Sequence, residues 1–251
     1  MRIAVAGGTG TVGQHVVRVA RARGHEVIVL SRSTGADLTT GAGVATALAG
    51  CDVAVDALNT PAQTARAARA FFEATTGILH HEGQRAGVLR VVALSIVGLE
   101  RAQQGLPYCR AKLAHEDAHR RGGLPVTIVR STQFHDFPGQ LLARMSRGPI
   151  AALPRMAVQP VDPVEVAALV VEAAEAAGAP PLLQVGGPQP EDLVDLARQL
   201  LASQGRRCRV MGLPLPGAGG RALRTGALLP GPDATLTGPT FRAWLDAHDP
   251  A

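Results

Sequence analysis

Ile3-Ala4-Val5-Ala6-Gly7-Gly8-Thr9-Gly10-Thr11-Val12-Gly13 runs directly into Gln14-His15-Val16-Val17-Arg18-Val19-Ala20, and this stretch decides the fold. The short apolar run rich in branched side chains reads as a buried strand, and Val12, Val16, Val19 and Ala20 then recur at helical spacing. Between the two stand Gly7, Gly10 and Gly13. Each meets a separate need: a tight turn, close approach of backbone to a pyrophosphate, and close packing of helix on strand. The helix start offers unpaired N–H groups and the positive end of its dipole to phosphate. An ordinary strand–turn–helix corner shares this local shape. Placed directly after a strand and before a helix, the pattern predicts a dinucleotide site around Gly7, Gly8, Thr9, Gly10, Thr11, Val12 and Gly13.

The rest of the chain keeps the alternation going. Strands are expected at 26–30, 52–58, 89–95 and 125–130. Helices are expected at 44–49, at 61–86 with a break near Gly77, and at 108–121. Crossovers long enough for helices specify an α/β fold, a Rossmann-type doubly wound parallel sheet. After residue 130 the regularity loosens. Helices are expected at 140–146, 164–177, 191–203, 221–226 and 240–248, with a strand at 182–185 and a Gly/Pro-rich stretch at 205–240. The expectation is a single NAD(P)-binding domain over 1–251, in which 131–160 and 186–251 form a lobe covering substrate.

Composition excludes other classes. The formal charge is +5, but the arginines are scattered, with Arg206-Arg207-x-Arg209 the densest cluster and no aromatic interleaving, so no nucleic-acid partner is expected. No apolar stretch reaches the length of a membrane span, so no membrane partner is expected either. Cys51, Cys109 and Cys208 are far apart and form no CxxC, and no charged-then-apolar leader is visible. A reducing, cytoplasmic location is the expectation.

The end of the second strand sets nucleotide choice. NAD-selective sites present an acid there, whereas this chain reads Leu30-Ser31-Arg32-Ser33. Arg32 can set a planar cation against a 2′-phosphate, with Ser31 or Ser33 adding a hydroxyl, so NADP(H) is expected over NAD(H). Asp37 and Leu38 either border the adenine or, for Asp37, cap the next helix.

Tyr108 is the sole tyrosine and Lys112 the sole lysine, beside 24 arginines. Four residues apart, they share a helix face. An ammonium beside a phenol favours phenolate, so Lys112 is expected to lower the Tyr108 pKa toward proton-transfer range. Ser95 closes the preceding strand, where its hydroxyl can hold a substrate carbonyl. Thr132, Gln133, Phe134 and His135 follow the next strand at a ligand-bearing sheet edge, where they are expected to border nicotinamide and substrate. A histidine bonded to loop backbone is the alternative for His135. His115-Glu116-Asp117-Ala118-His119 matches the H-E-x-x-H zinc spacing, but no third ligand follows it in sequence. The segment reads as a solvated helix surface, and no metal is expected.

Gly7-x-x-Gly10-x-x-Gly13, Ser95 and Tyr108-x-x-x-Lys112 together resemble the short-chain dehydrogenase/reductase superfamily. AVAGGTGTVG, Asp37-Leu38, AGVLRVVALSIVG, TIVRSTQFHDF and QPVDPVEVA resemble its atypical, NmrA-like NAD(P)H-binding branch. The resemblance implies a nicotinamide dinucleotide lying along Leu58, Asn59 and Thr60. It also implies Tyr108 as proton donor, Lys112 on the nicotinamide ribose and Ser95 orienting a carbonyl. The implied activity is NADPH-dependent reduction of a small carbonyl or quinone-like molecule. NADP(H) sensing without turnover, or non-redox isomerisation or dehydration, are the alternatives.

Overall fold

The computed structural model describes residues 1–60, 62 and 64–248. In chain order its elements are β1 (Arg2–Ala6), α1 (Gly13–Ala22), β2 (Glu26–Leu30), α2 (Val44–Leu48), β3 (Val53–Asp56), α3 (Ala65–Ala86), β4 (Arg90–Ile96), α4 (Leu99–Ala102), α5 (Pro107–Arg121) and β5 (Val126–Ser131). They continue with α6 (Phe137–Met145), β6 (Ser146–Arg147), β7 (Ile150–Pro154), β8 (Ala157–Val158), α7 (Pro163–Glu175), β9 (Leu182–Gly186), β10 (Glu191–Asp192), α8 (Leu193–Ser203), β11 (Arg209–Leu213), α9 (Gly217–Arg224), β12 (Thr235–Leu236) and α10 (Phe241–His248). No described helix is long and apolar enough to cross a membrane.

The chain divides into two compact units. The first comprises Met1–Ser95, Pro107–Arg130 and Pro163–Leu183. Its parallel sheet has the order β9-β5-β4-β3-β1-β2. Ile3, Val5, Val53 and Val55 are fully buried on one face of the pleat, and Ala4, Ala6 and Ala54 on the other. The second set belongs to a cluster with Leu48, Leu79, Val88 and Leu124, under α2 and α3. On the opposite side α1 packs with α7. Both faces are covered, as an all-parallel sheet requires and as the sequence implied.

The glycine corner is tight. Gly7 has φ +74°, and a Cβ there would lie 2.8 Å from the Ala57 carbonyl oxygen. At Gly13 a Cβ would lie 2.0 Å from the Gly7 carbonyl oxygen, so α1 starts in backbone contact with the end of β1. The expected break near Gly77 does not occur. α3 continues as 22 residues from a Thr64 cap, which accepts from Ala67 N, to Gly87 at φ +80°. Packing of Phe72, Thr76, Leu79 and His80 outweighs the ~1 kcal/mol that one interior glycine costs. The expected start of that helix at Pro61 lies outside the described residues.

The second unit comprises Ile96–Leu106, Ser131–Asp162 and Gln184–Ala251. It holds a three-stranded sheet of order β11-β7-β6, a β8–β10 pair and a β9–β12 pair. Helices α6 and α8 pack on each other and on β7. The strands β6, β7 and β11 were not expected, because short segments between Gly and Pro show no run long enough to reveal a period.

Gly13→Ala should cost about 3 kcal/mol or more, because backbone rather than a flexible side chain fills the space. Gly77→Ala, whose Cβ meets nothing within 4 Å, should instead stabilise by up to ~1 kcal/mol. Chemical denaturation of both variants checks this, and a neutral Gly13→Ala would contradict the close approach.

Candidate active site

In the first unit, α1 begins without a side-chain cap and without an acidic residue in its first turn. The amides of Gln14 and His15 turn back onto the Gly10 and Val12 carbonyls, and no first-turn acid competes at the positive end of the helix, so the corner suits a phosphate. Past β2, Ser31 Oγ lies 2.9 Å from Ser33 Oγ and 3.1 Å from Thr34 Oγ1, with Arg32 exposed on the turn between them. No acid occupies Ser31–Thr34. Asp37 does not cap α2, which starts after Gly43. Its carboxylate accepts from Thr39 N and Thr39 Oγ1, which hold it below the usual carboxylate range. The Leu38 side chain is buried in the core cluster and Leu58 packs against that cluster.

The Gly7 corner abuts Ala57, and two residues further on Asn59 meets Tyr108. Tyr108 Oη donates to Asn59 Oδ1 at 2.6 Å, and Thr60 N donates to the same oxygen at 2.7 Å. Tyr108 and Asn59, singled out on separate grounds, thus stand together in one unit with the glycine corner.

Lys112 does not act on the phenol as expected. Its ammonium is turned inward, donating to the Leu94 carbonyl at 3.0 Å and to His115 Nδ1 at 2.9 Å, and lying 4.8 Å from the Phe72 ring centroid. Desolvation of the partly sunken Tyr108 ring, reinforced by the neighbouring Cys109, pushes the phenol up to about 12. The expected lowering is therefore reversed. Burial pushes Lys112 down to about 8, with Asp56 and Glu116 pulling the other way.

Ser95 is buried and its Oγ makes no geometric hydrogen bond among the described residues, while the Arg130 guanidinium holds the Glu116 carboxylate below the ordinary range despite desolvation. Glu116 is gripped in a fork by Arg130, from Nε at 2.8 Å and Nη2 at 2.7 Å, which pins α5 to β5. The reading of His115–His119 as a solvated surface is overturned: His115, Glu116 and His119 are 0–1% exposed. The third ligand-type residue absent from the local sequence comes from β3. Asp56 Oδ2 lies 3.2 Å from His115 Nε2 and 3.1 Å from His119 Nε2. Sequence reasoning missed Asp56 and His80. A charged residue closing the buried run Val53-Ala54-Val55 was the available signal.

In the second unit, Thr132 is buried and its hydroxyl donates to the Gln159 carbonyl at 2.5 Å. Gln133 bonds to Leu228 O and Gln159 N, and Phe134 bridges to Val161. His135 is fully buried, stacked on Trp244 at 5.2 Å, rather than presented at a surface.

The buried histidines make the first unit acid-sensitive. Desolvation pushes His80 and His115 down to about 4, from 6.5 in a free side chain. Between those values the unfolded chain binds more protons than the folded one, so stability falls as pH drops from 6.5 toward 4, by up to roughly 3 kcal/mol per ring. Urea denaturation at pH 7 and pH 4.5 measures the loss, and an unchanged midpoint would exclude it.

No curated protein matches the sequence significantly. Among solved structures, an NADPH-dependent quinone oxidoreductase from Escherichia coli complexed with NADPH superposes with TM-score 0.75 at 14% identity, over 98% of this chain and 99% of that one. A triphenylmethane reductase from Citrobacter sp. complexed with NADP(H) gives TM-score 0.70 at 17% identity, over 98% and 99%. A UDP-N-acetylglucosamine 4-epimerase from Bacillus cereus gives 0.69 at 17%, over 98% and 97%. At these identities the likeness establishes the fold. A family model described as NAD(P)H-binding matches residues 7–177. The chain belongs to this NAD(P)H-binding family.

Proposed function

We propose that the protein is an NADPH-dependent oxidoreductase that reduces a small carbonyl or quinone-like substrate. One observation carries the reading: the phenol of the sole tyrosine is bonded to Asn59, on the segment whose Ala57 carbonyl is in backbone contact with the Gly7 corner. The uncapped, acid-free start of α1 fits the pyrophosphate of a dinucleotide. Such a cofactor supplies the hydride when bound.

The chain's own groups supply the rest. Tyr108 Oη, raised to about 12, stays protonated at neutral pH and is suited to deliver its proton to a substrate oxygen as negative charge develops there. Lys112 has two of its three N–H groups engaged, by Leu94 O and His115 Nδ1, and offers the remaining one to a ribose hydroxyl. The absence of an acid after β2, together with exposed Arg32 between Ser31 and Ser33, supports NADP(H) over NAD(H).

A sensing role without turnover is the second reading. The observation favouring it is the Lys112 ammonium, which faces His115 instead of the phenol. Tyr108→Phe should abolish NADPH oxidation across a panel of quinones and carbonyls while leaving NADPH binding within about twofold. Binding without oxidation by the unaltered protein would favour sensing. Arg32→Ala should weaken NADPH binding about tenfold or more and leave NADH unchanged, as read by fluorescence titration. Equal losses for both nucleotides would remove Arg32 from 2′-phosphate recognition.

A further inference from the structure

Beyond Cys109 and Ala111, the buried residues of α5 are all polar. Lys112, His115 and His119 point inward against Asp56 of β3 and Phe72 and His80 of α3, while Glu116 meets Arg130 of β5. A continuous set of contacts links them. Lys112 Nζ meets His115 Nδ1 at 2.9 Å, and His115 Nε2 meets Asp56 Oδ2 at 3.2 Å. From the other side, Leu124 N meets His80 Nδ1 at 3.3 Å, His80 Nε2 meets His119 Nδ1 at 3.0 Å, and His119 Nε2 meets Asp56 Oδ2 at 3.1 Å.

Two occupants suit three atoms spaced like this. Asp56 Oδ2, His115 Nε2 and His119 Nε2 lie 3.1–3.2 Å apart, a spacing that a two-histidine, one-carboxylate divalent metal site also adopts. The outer partners decide between a cation and protons. An ammonium has only donors, so Lys112 leaves His115 Nδ1 as an acceptor and places the ring proton on Nε2. A backbone amide is likewise only a donor. Leu124 N–H therefore makes His80 Nδ1 the acceptor, His80 Nε2 the donor, and His119 Nδ1 the next acceptor. The His119 proton then sits on Nε2 as well. Both inner nitrogens carry hydrogens aimed at one carboxylate oxygen. A metal would need both bare, with outer N–H groups facing acceptors. The donor pattern is the reverse.

We propose that Leu124 N–H, His80, His119, Asp56 and His115 form a tautomer-locked hydrogen-bond network that holds the Lys112 ammonium against the Leu94 carbonyl. His115 and Asp56 are positioning residues for the sole lysine. The assignment rests on Lys112 being a working group of the proposed site. In this network Asp56 is the buried negative charge facing the ammonium through a neutral imidazole. Its other oxygen accepts Leu58 N–H at 2.9 Å, so it is held from both sides. Glu116, the other acid bearing on Lys112, is committed to Arg130 and Arg120. Phe72 stacks on His115 at 4.4 Å and fixes the ring plane, so Nδ1 stays aimed at the ammonium.

The sole lysine makes the test direct. Protein carrying 13Cε-lysine gives one side-chain resonance, expected to titrate near 8. Asp56→Asn and His115→Leu each remove a feature favouring the ammonium, and each should lower that inflection by about one unit or more. Long-range 1H–15N spectra of the unaltered protein at pH 7 should show Nε2–H tautomers for His80, His115 and His119. These spectra decide the matter even if a variant does not fold. An inflection unchanged in both variants, an Nδ1–H tautomer at any of the three rings, or one equivalent of tightly held zinc in the purified protein would each overturn the network. None of these readouts uses cofactor or turnover, so a protein unable to oxidise NADPH still reports on it.

Discussion

A carboxylate with no exposure has to find partners inside the protein, and Asp56 imposes that demand at the carboxyl end of the central strand β3. Three elements answer it. The backbone beyond β3 turns so that Leu58 N–H reaches one oxygen, and α5 brings two histidines to the other. α3 in turn contributes His80, which orients one of those histidines. The position of α5 is thereby fixed along its axis as well as in its distance from the sheet. An apolar stripe packed on an apolar face tolerates sliding by a fraction of a turn, but directional hydrogen bonds do not. Tyr108, about two to three turns before these histidines, inherits that placement. So does Asn59, which lies three residues beyond Asp56.

The parallel sheet was legible because its strands are continuous apolar runs bounded by glycine, and the crossovers are long enough to be helices. Gly7 and Gly13 were legible for a sharper reason, since the structure leaves no volume for a side chain at either. The second unit was legible only in part. α6, α8 and α10 have recognisable periodicity or caps, such as Asp192 accepting from Val194 N and Asp195 N. β6, β7 and β11 pair through backbone over two to five residues each, and backbone pairing leaves little trace in such short segments. α3 shows local propensity yielding to packing, with Gly77 carried in an unbroken helix.

The site was read unevenly. Spacing put Tyr108 and Lys112 on one helix and identified both as exceptional, yet spacing says nothing about which way a flexible four-carbon stem turns. Lys112 turned inward because the interior already held an acceptor and a negative charge to receive it. The same blindness affected His115-Glu116-Asp117-Ala118-His119. A charge-rich helical segment reads as solvated unless its counter-charges are visible, and Asp56 and Arg130 lie on strands distant in sequence. His135 stayed open between substrate and loop backbone for a similar reason, since its burial depends on Trp244 and Phe241, more than a hundred residues away.

With Lys112 only 4% exposed, the described surface carries its basic charge almost wholly on guanidinium groups. Guanidinium keeps its proton far into alkali, so the cationic exterior is insensitive to alkaline solvent that would strip a lysine-coated protein. Electrophoretic mobility in mild alkali accordingly keeps the positive contribution that an ordinary protein's lysines would give up. The one amine side chain able to release a proton there is enclosed by a backbone carbonyl, an imidazole nitrogen and a phenyl ring.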